Sequence, residues 1–249
     1  MTATNSVISL RVARGLIILP TYNEAENIER IIPDILKQSD ELDILVVDDN
    51  SPDGTGDMVA RIRDENPRVH LMRRPGKLGL GTAYVAGFKW ALEKGYDYAF
   101  EMDSDFSHPP EKLPEMIRAL IDYDLVIGSR YIEGISVVNW PMKRLLLSYG
   151  ASIYARMGTG CPIRDLTAGF KGYTRKALEA IDLDALKQEG YGFQIEIDFA
   201  IWRKGLPIKE VPIVFTERRA GVSKMSKKII WSAFWLVIRL RFRRWFGRR

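Results

Sequence analysis

Five short apolar runs alternate with stretches of helical periodicity along the first half of the chain: GLIIL from Gly15, DILVV from Asp43, VHLM from Val69, YAFEM from Tyr98 and DLVIG from Asp124. Each is strand-sized, and its unbroken apolar character suits a strand covered on both faces of a parallel sheet. Between them, residues 23–36, 53–65, 82–94 and 111–121 read as helices. In the first of these, Asn23 followed by Glu26 makes a capping-box pattern ahead of Ile28, Ile31, Ile32 and Ile35. This order predicts an α/β fold with right-handed crossovers and an open, doubly wound sheet. After Arg130 the rhythm changes. Residues 140–158 and 193–204 read as helices and 165–174 as an irregular or strand segment, while 208–215 alternates like a strand that Pro212 assigns to a sheet edge.

Charge divides the chain into unequal parts. Residues 218–249 hold eleven Lys or Arg and no acid, so a net charge of +5 leaves the preceding 217 residues at −6. A basic tail of this kind seeks anionic phosphates, those of lipid or of nucleic acid. One cysteine, Cys161, allows no internal disulfide, and His70 and His108 are too few for a Cys/His zinc site. A reducing, cytoplasmic setting fits. Met1 to Arg14 lacks the apolar core of a signal peptide. The longest strongly apolar run, residues 229–238, rises about 15 Å as a helix where a bilayer core needs roughly 30 Å.

Ligands of open parallel sheets collect beyond the carboxyl ends of the strands, and here those ends are polar and acidic. The first ends in Pro20-Thr21-Tyr22-Asn23-Glu24, the second in Asp48-Asp49-Asn50-Ser51-Pro52-Asp53 and the fourth in Asp103-Ser104-Asp105. Two carboxylates one residue apart can hold a hard cation such as Mg²⁺ or Mn²⁺ against a diphosphate, which is Lewis-acid work that needs no histidine. A bare Asp-x-Asp is more often a solvated loop; its place at a strand end turns the balance. Asp48 suits a ribose or base edge, and Asp53 is equally suited to capping the next helix. Gly76 to Ala83 resembles a phosphate loop. It follows the third strand, however, so a tight turn that lets a helix pack closely explains it better than a dinucleotide fingerprint, and that glycine position argues against an NAD-dependent oxidoreductase. Arg130, Arg218, Arg219 and Lys224 are the basic groups able to hold phosphate oxygens.

Taken together, PTYNE, VVDDNSPDGT, KLGLGTAY, MDSDFSHPPE, GSRY, DLTAGFKGY and RRAGVSK resemble, in order and spacing, the inverting family 2 glycosyltransferases. Within them the resemblance is to the dolichol- or polyprenol-phosphate mannose synthases. It implies a GT-A (Rossmann-like) fold, a mostly parallel open sheet flanked by helices, over residues 1–217. Residues 218–249 would supply a donor-site loop and a basic amphipathic helical tail. It implies GDP-mannose as donor, a polyprenyl phosphate as acceptor, an anionic membrane surface as partner rather than nucleic acid, and Mg²⁺ or Mn²⁺ as cofactor. Pro20, Tyr22, Glu24, Val46 and Asp48 would line the nucleoside pocket, with Ser104 beside the diphosphate and Asp103 and Asp105 on the metal. Arg130, Arg218 and Lys224 would engage phosphates, and Gln194 and Glu196 would stand on the sugar or acceptor side of the catalytic centre. Some relatives carry Gln where this chain has Ser107, a poorer metal ligand, and several have C-terminal membrane spans. A UDP-sugar donor and a non-catalytic nucleic-acid or membrane binder stay open as alternatives. The tail, with Trp231, Phe234 and Trp235 ahead of Arg239, Arg241, Arg243, Arg244, Trp245, Arg248 and Arg249, suits an interfacial helix on anionic lipid; the competing picture is a helix packed on its own domain.

Overall fold

The computed structural model describes residues 13–216 and 227–246. The elements run β1 (Gly15–Thr21), α1 (Ala25–Leu36), β2 (Leu42–Asp48), α2 (Thr55–Glu65), β3 (Val69–Arg73), α3 (Leu80–Lys94), β4 (Tyr98–Glu101), α4 (Leu113–Ala119) and β5 (Leu125–Ser129). They continue with β6 (Val137–Val138), α5 (Met142–Thr159), β7 (Lys171–Thr174), α6 (Arg175–Glu179), α7 (Tyr191–Arg203), β8 (Ile208–Pro212), β9 (Phe215–Thr216) and α8 (Lys227–Phe246).

Seven strands form one sheet in the order β3-β2-β1-β4-β7-β5-β8, and β6 pairs with β9 apart from it. Every pairing in the large sheet is parallel except those of β7, which runs antiparallel to both β4 and β5. The chain winds outward from β1 through β2 to β3 and then crosses to β4 on the other side of β1. Strand order therefore reverses between β1 and β4, the place where open sheets hold ligands. Pro212 ends β8 at the sheet edge, where its missing N–H interrupts no ladder.

Alternate residues of one strand feed two cores. Leu16, Ile18, Leu45 and Val47 pack beneath α3, α7 and α8, whereas Ile17, Leu19, Ile44 and Val46 pack beneath α1, α2 and α4. The isoleucines of α1 at 28, 31, 32 and 35 are all buried, each burial being worth about 1.5–3 kcal/mol.

The capping box expected at Asn23 does not form. Asn23 takes a left-handed φ of 61°, and Glu24 precedes the helix without a side-chain cap. The loop after β2 caps α1 instead: Asn23, Glu24 and Ala25 donate their amides in turn to Ser51 Oγ (3.1 Å), Thr55 Oγ1 (3.0 Å) and Asp53 Oδ2 (3.0 Å). The SPDGT segment thus satisfies orphan donors of another helix and fixes the first two crevice loops to each other. Asp53 is part of this staple.

α8 packs Leu236, Val237 and Leu240 into the upper core. Gly158 of α5 lies so close to Val237 that a Cβ there would overlap it, and Tyr154 stacks on Phe234 with centroids 5.2 Å apart. The outward side of the same helix exposes Phe234, Trp235 and Phe242. Among its described residues, α8 is therefore packed on its own domain and exposes aromatic side chains beside Arg239 and Arg241. No described helix is long and apolar enough to cross a membrane.

Candidate active site

Beyond the carboxyl ends of β1 and β4 lies a crevice of about 430 Å³. Four of the loops around it contain a non-glycine residue at left-handed φ: Asn23 (61°), Asn50 (57°), Phe106 (61°) and Asn139 (63°), the last beside the crevice-lining Trp140. For Phe106 this is an unusual backbone state, of the kind that costs on the order of 1–3 kcal/mol and clusters at functional sites.

The crevice gathers Pro20, Tyr22, Glu24, Asp103, Ser104, Asp105, Arg130 and Gln194 from the residues singled out above. Asp103 is held on two sides, its Oδ1 accepting from the Tyr84 hydroxyl (3.3 Å) and its amide donating to His108 Nδ1 (3.0 Å). Burial, reinforced by Asp103, pushes the Tyr84 phenol well above its ordinary range, so it stays a donor. Asp105 Oδ1 accepts the Ser107 amide at 3.1 Å.

Four expected residues sit elsewhere. Val46 is fully buried in the lower core. Asp48 is buried and engaged, accepting from Thr21 Oγ1 (2.9 Å) and the Ser51 amide (3.1 Å). Its neighbour Asp49 lines the crevice, paired with Arg74. Ser107 lies behind Asp105 with its buried hydroxyl unpartnered; its amide, not its hydroxyl, reaches the acidic motif. Glu196 faces away from the crevice, toward α8 and the 187–188 backbone. Arg218 and Lys224 lie outside the described residues, as do the side chains of Trp231, Arg243, Arg244 and Trp245 and residues Arg248 and Arg249.

Arg130 is buried in the opposite wall. It grips Asp165 through Nε (2.7 Å), Nη2 (2.6 Å) and its own amide (3.0 Å), while Nη2 also donates to Thr167 (2.8 Å). Burial alone would raise the Asp165 carboxyl; Arg130 outweighs it and holds the group below the usual carboxylate range.

Further residues, not singled out by sequence motifs, complete the wall. The Trp140 indole, whose Nε1 has no protein partner, lies 4.3 Å beneath the Arg144 guanidinium and edge-on to Phe215 at 5.3 Å. Lys77 rides 4.5 Å over the Tyr22 ring. His108 stacks on Phe170 at 5.3 Å. Their signal was the clustering of aromatic and basic types in 140–144 and the His inside MDSDFSHPPE.

Under the floor, Gln194 Nε2 donates to Glu101 (2.6 Å), as does the Tyr173 hydroxyl (2.7 Å), and Lys171 pairs with Asp198 (2.8 Å). Burial, opposed by Lys171, pushes both carboxyls up, each to about 7.

Over residues 16–182 the sequence matches the family described as Glycosyl transferase family 2. The chain belongs to that family. This family 2 glycosyltransferase is 49% identical over 220 residues to the undecaprenyl-phosphate mannosyltransferase of Micrococcus luteus, covering 88% of this chain and 90% of that one. It is 48% identical over 226 residues to the polyprenol monophosphomannose synthase of Mycolicibacterium smegmatis, covering 90% and 85%. Against the dolichol-phosphate mannosyltransferase of Pyrococcus furiosus the identity is 36% over 229 residues, with 90% of this chain and 62% of the relative covered. The glycosyltransferase also shares its fold with glucosyl-3-phosphoglycerate synthase of Mycobacterium tuberculosis. The UDP complex of that enzyme superposes with a TM-score of 0.63 at 17% identity (92% of this chain, 80% of the other). Its complex with Mn²⁺, UDP-glucose and phosphoglyceric acid gives 0.62 at 18%, with the same coverage.

Proposed function

We propose that the enzyme transfers mannose from GDP-mannose, with inversion, to a polyprenyl phosphate at a membrane surface. The observation that carries this reading is the union in one crevice of an acidic strand end, Asp103-Ser104-Asp105, with a cationic wall of Arg130 and Arg144. The names of the relatives, which include an undecaprenyl-phosphate mannosyltransferase and a polyprenol monophosphomannose synthase, supply the substrate classes.

The donor set fits a divalent ion of the Mg²⁺ or Mn²⁺ type. Asp103 and Asp105 stand one residue apart in the crevice lining, and among the described residues no group of three or more His, Cys, Asp or Glu could hold a metal. Such a site leaves room for phosphate and water oxygens, as hard cations of this kind require. Asp103 and Asp105 would hold the ion, which when bound would neutralise the departing diphosphate. Arg218 and Lys224 carry the same task from the RRAGVSK segment.

The acceptor needs no general base. A phosphate monoester is anionic near neutral pH, so its oxygen attacks the anomeric carbon as the bond to the diphosphate breaks, and an α-linked donor gives a β-linked product. Positioning and charge neutralisation by Arg130 and Arg144 supply the catalysis. The aromatic floor of Trp140 and Phe215 holds their guanidinium groups in place.

The lipid end of the acceptor has a matching surface. On α5, Met142, Leu146, Ile153 and Met157 form an exposed apolar stripe, and α8 beside it exposes Trp235 and Phe242. Apolar faces of this extent mark contact with lipid or protein; an anionic bilayer suits the basic residues 218–249.

Purified enzyme, polyprenyl phosphate and either metal, incubated with labelled GDP-mannose or labelled UDP-glucose, test the reading. Mannose label should pass into the organic phase and release α-anomer-free product; glucose label passing instead, or neither passing, overturns it.

A further inference from the structure

Glu196 faces away from the crevice yet is only 5% exposed. One of its oxygens, Oε2, accepts the amides of both Lys187 (3.0 Å) and Gln188 (3.2 Å), and the other accepts Arg239 Nη2 of α8 at 3.1 Å. The residues that follow directly, Glu189, Gly190 and Tyr191, form one wall of the crevice.

The same short loop is caught from other directions. A Cβ on Gly81 would lie 2.7 Å from the Gln188 carbonyl, and one on Gly79 would overlap the Glu189 carboxylate. The glycines of the KLGLG turn therefore admit the loop. Gly190 turns the chain into α7 at φ 55° and ψ −128°, a conformation that side-chain-bearing residues rarely adopt. Ser232 of α8 donates to Gln188 Oε1 at 2.9 Å.

Both described polar links from α8 to this region thus converge on one loop, while no described residue of α8 lines the crevice. We infer that Glu196 and Arg239 are positioning residues: the Glu196 carboxylate pins the loop at 187–188 so that residues 189–191 stand as the crevice wall, and Arg239 makes that carboxylate's placement depend on the seating of α8. The helix that offers its outer side to lipid thereby supports the binding site behind it. In its kinetic arm this inference rests on the proposed reading of the crevice as the donor site; its structural arm does not.

The test compares wild type with Arg239→Gln, Arg239→Lys and Glu196→Gln in the full chain. Arg239→Gln should speed hydrogen exchange at the Lys187 and Gln188 amides and raise the KM for GDP-mannose, each by about fivefold, as for loss of one half-exposed ion pair. The kcat should change less, and sedimentation with vesicles of anionic lipid should persist. Arg239→Lys should restore part of both effects. Glu196→Gln keeps an oxygen for the two amides but loses the charge, so it should match Arg239→Gln, and the double variant should be no worse than either alone. Unchanged amide exchange and KM in Arg239→Gln, or additive effects in the double variant, would overturn the inference. If Glu196→Gln fails to fold, Arg239→Gln at its half-exposed position decides. A wild-type enzyme that transfers no mannose would refute the proposed function while leaving the exchange measurement to judge the loop.

Discussion

Arg130 directs three N–H groups into the one carboxylate of Asp165, two from the guanidinium at 2.7 and 2.6 Å and one from its own amide at 3.0 Å. Both side chains are buried, so each charge depends on the other. Arg130→Ala would strand Asp165 in the interior and should cost about 3–5 kcal/mol of stability. Arg130→Lys keeps a charge but loses the planar fork. It should fold and yet lower kcat/KM on the order of 100-fold, the penalty of a misplaced group. Denaturant melts alongside initial rates check both expectations, and a fully active Arg130→Lys would refute the positional role.

Gly81 and Gly76 make a matched pair of positions. A Cβ at Gly81 meets the Gln188 carbonyl at 2.7 Å and the Phe193 ring at 2.9 Å, whereas one at Gly76 meets nothing within 4 Å. Gly81→Ala should therefore destabilise by about 1–3 kcal/mol through overpacking and raise the donor KM by displacing the 187–190 loop. Gly76→Ala should leave both unchanged. Thermal melts and donor titrations of the two variants distinguish close packing from a general sensitivity of the turn.

Two buried carboxylates share one buried ammonium under the crevice floor: Lys171 pairs with Asp198 and stands across the strand from Glu101. Burial raises both acids to about 7. The folded chain thus keeps protons that the unfolded chain has released, and stability falls as pH rises from the ordinary carboxylate range to about 7, then levels off. In Asp198→Asn, Glu101 is left as the single counter-ion. The midpoint of thermal unfolding should then drop less between about pH 5 and pH 8 than in wild type. Parallel curves would show that the cluster does not govern this slope.

The sheet was legible because its strands announce themselves. Each of the five apolar runs became a strand, and the acidic tails of the first and fourth became crevice walls. β7 was harder to read, since KGYT carries a buried Lys171 and takes an antiparallel place between two strands of a parallel set. Long-range pairing of this kind leaves little local pattern. Glu196 illustrates a different limit. Gln194 and Glu196 are two residues apart on α7, and helix positions at that spacing do not share a face; once the helix was granted, only one could meet the crevice. Gln194 does, with Asp198 one turn on in the buried network. Asp48 and Asp49 follow the analogous rule for a strand end, where neighbouring side chains diverge, and Asp49 holds the crevice position. Trp140 and Arg144 escaped because their approach to Arg130 depends on how the chain returns after β5, which no local spacing encodes.

The acidic pair at the end of β4 bears most of the proposed chemistry, and manganese resonance reads it without any turnover. With GDP present, wild-type protein should remove Mn²⁺ from the free-ion spectrum, and Asp103→Asn or Asp105→Asn should restore that signal. Equal uptake by both variants, or none by wild type, would contradict a cation held between these carboxylates and the diphosphate.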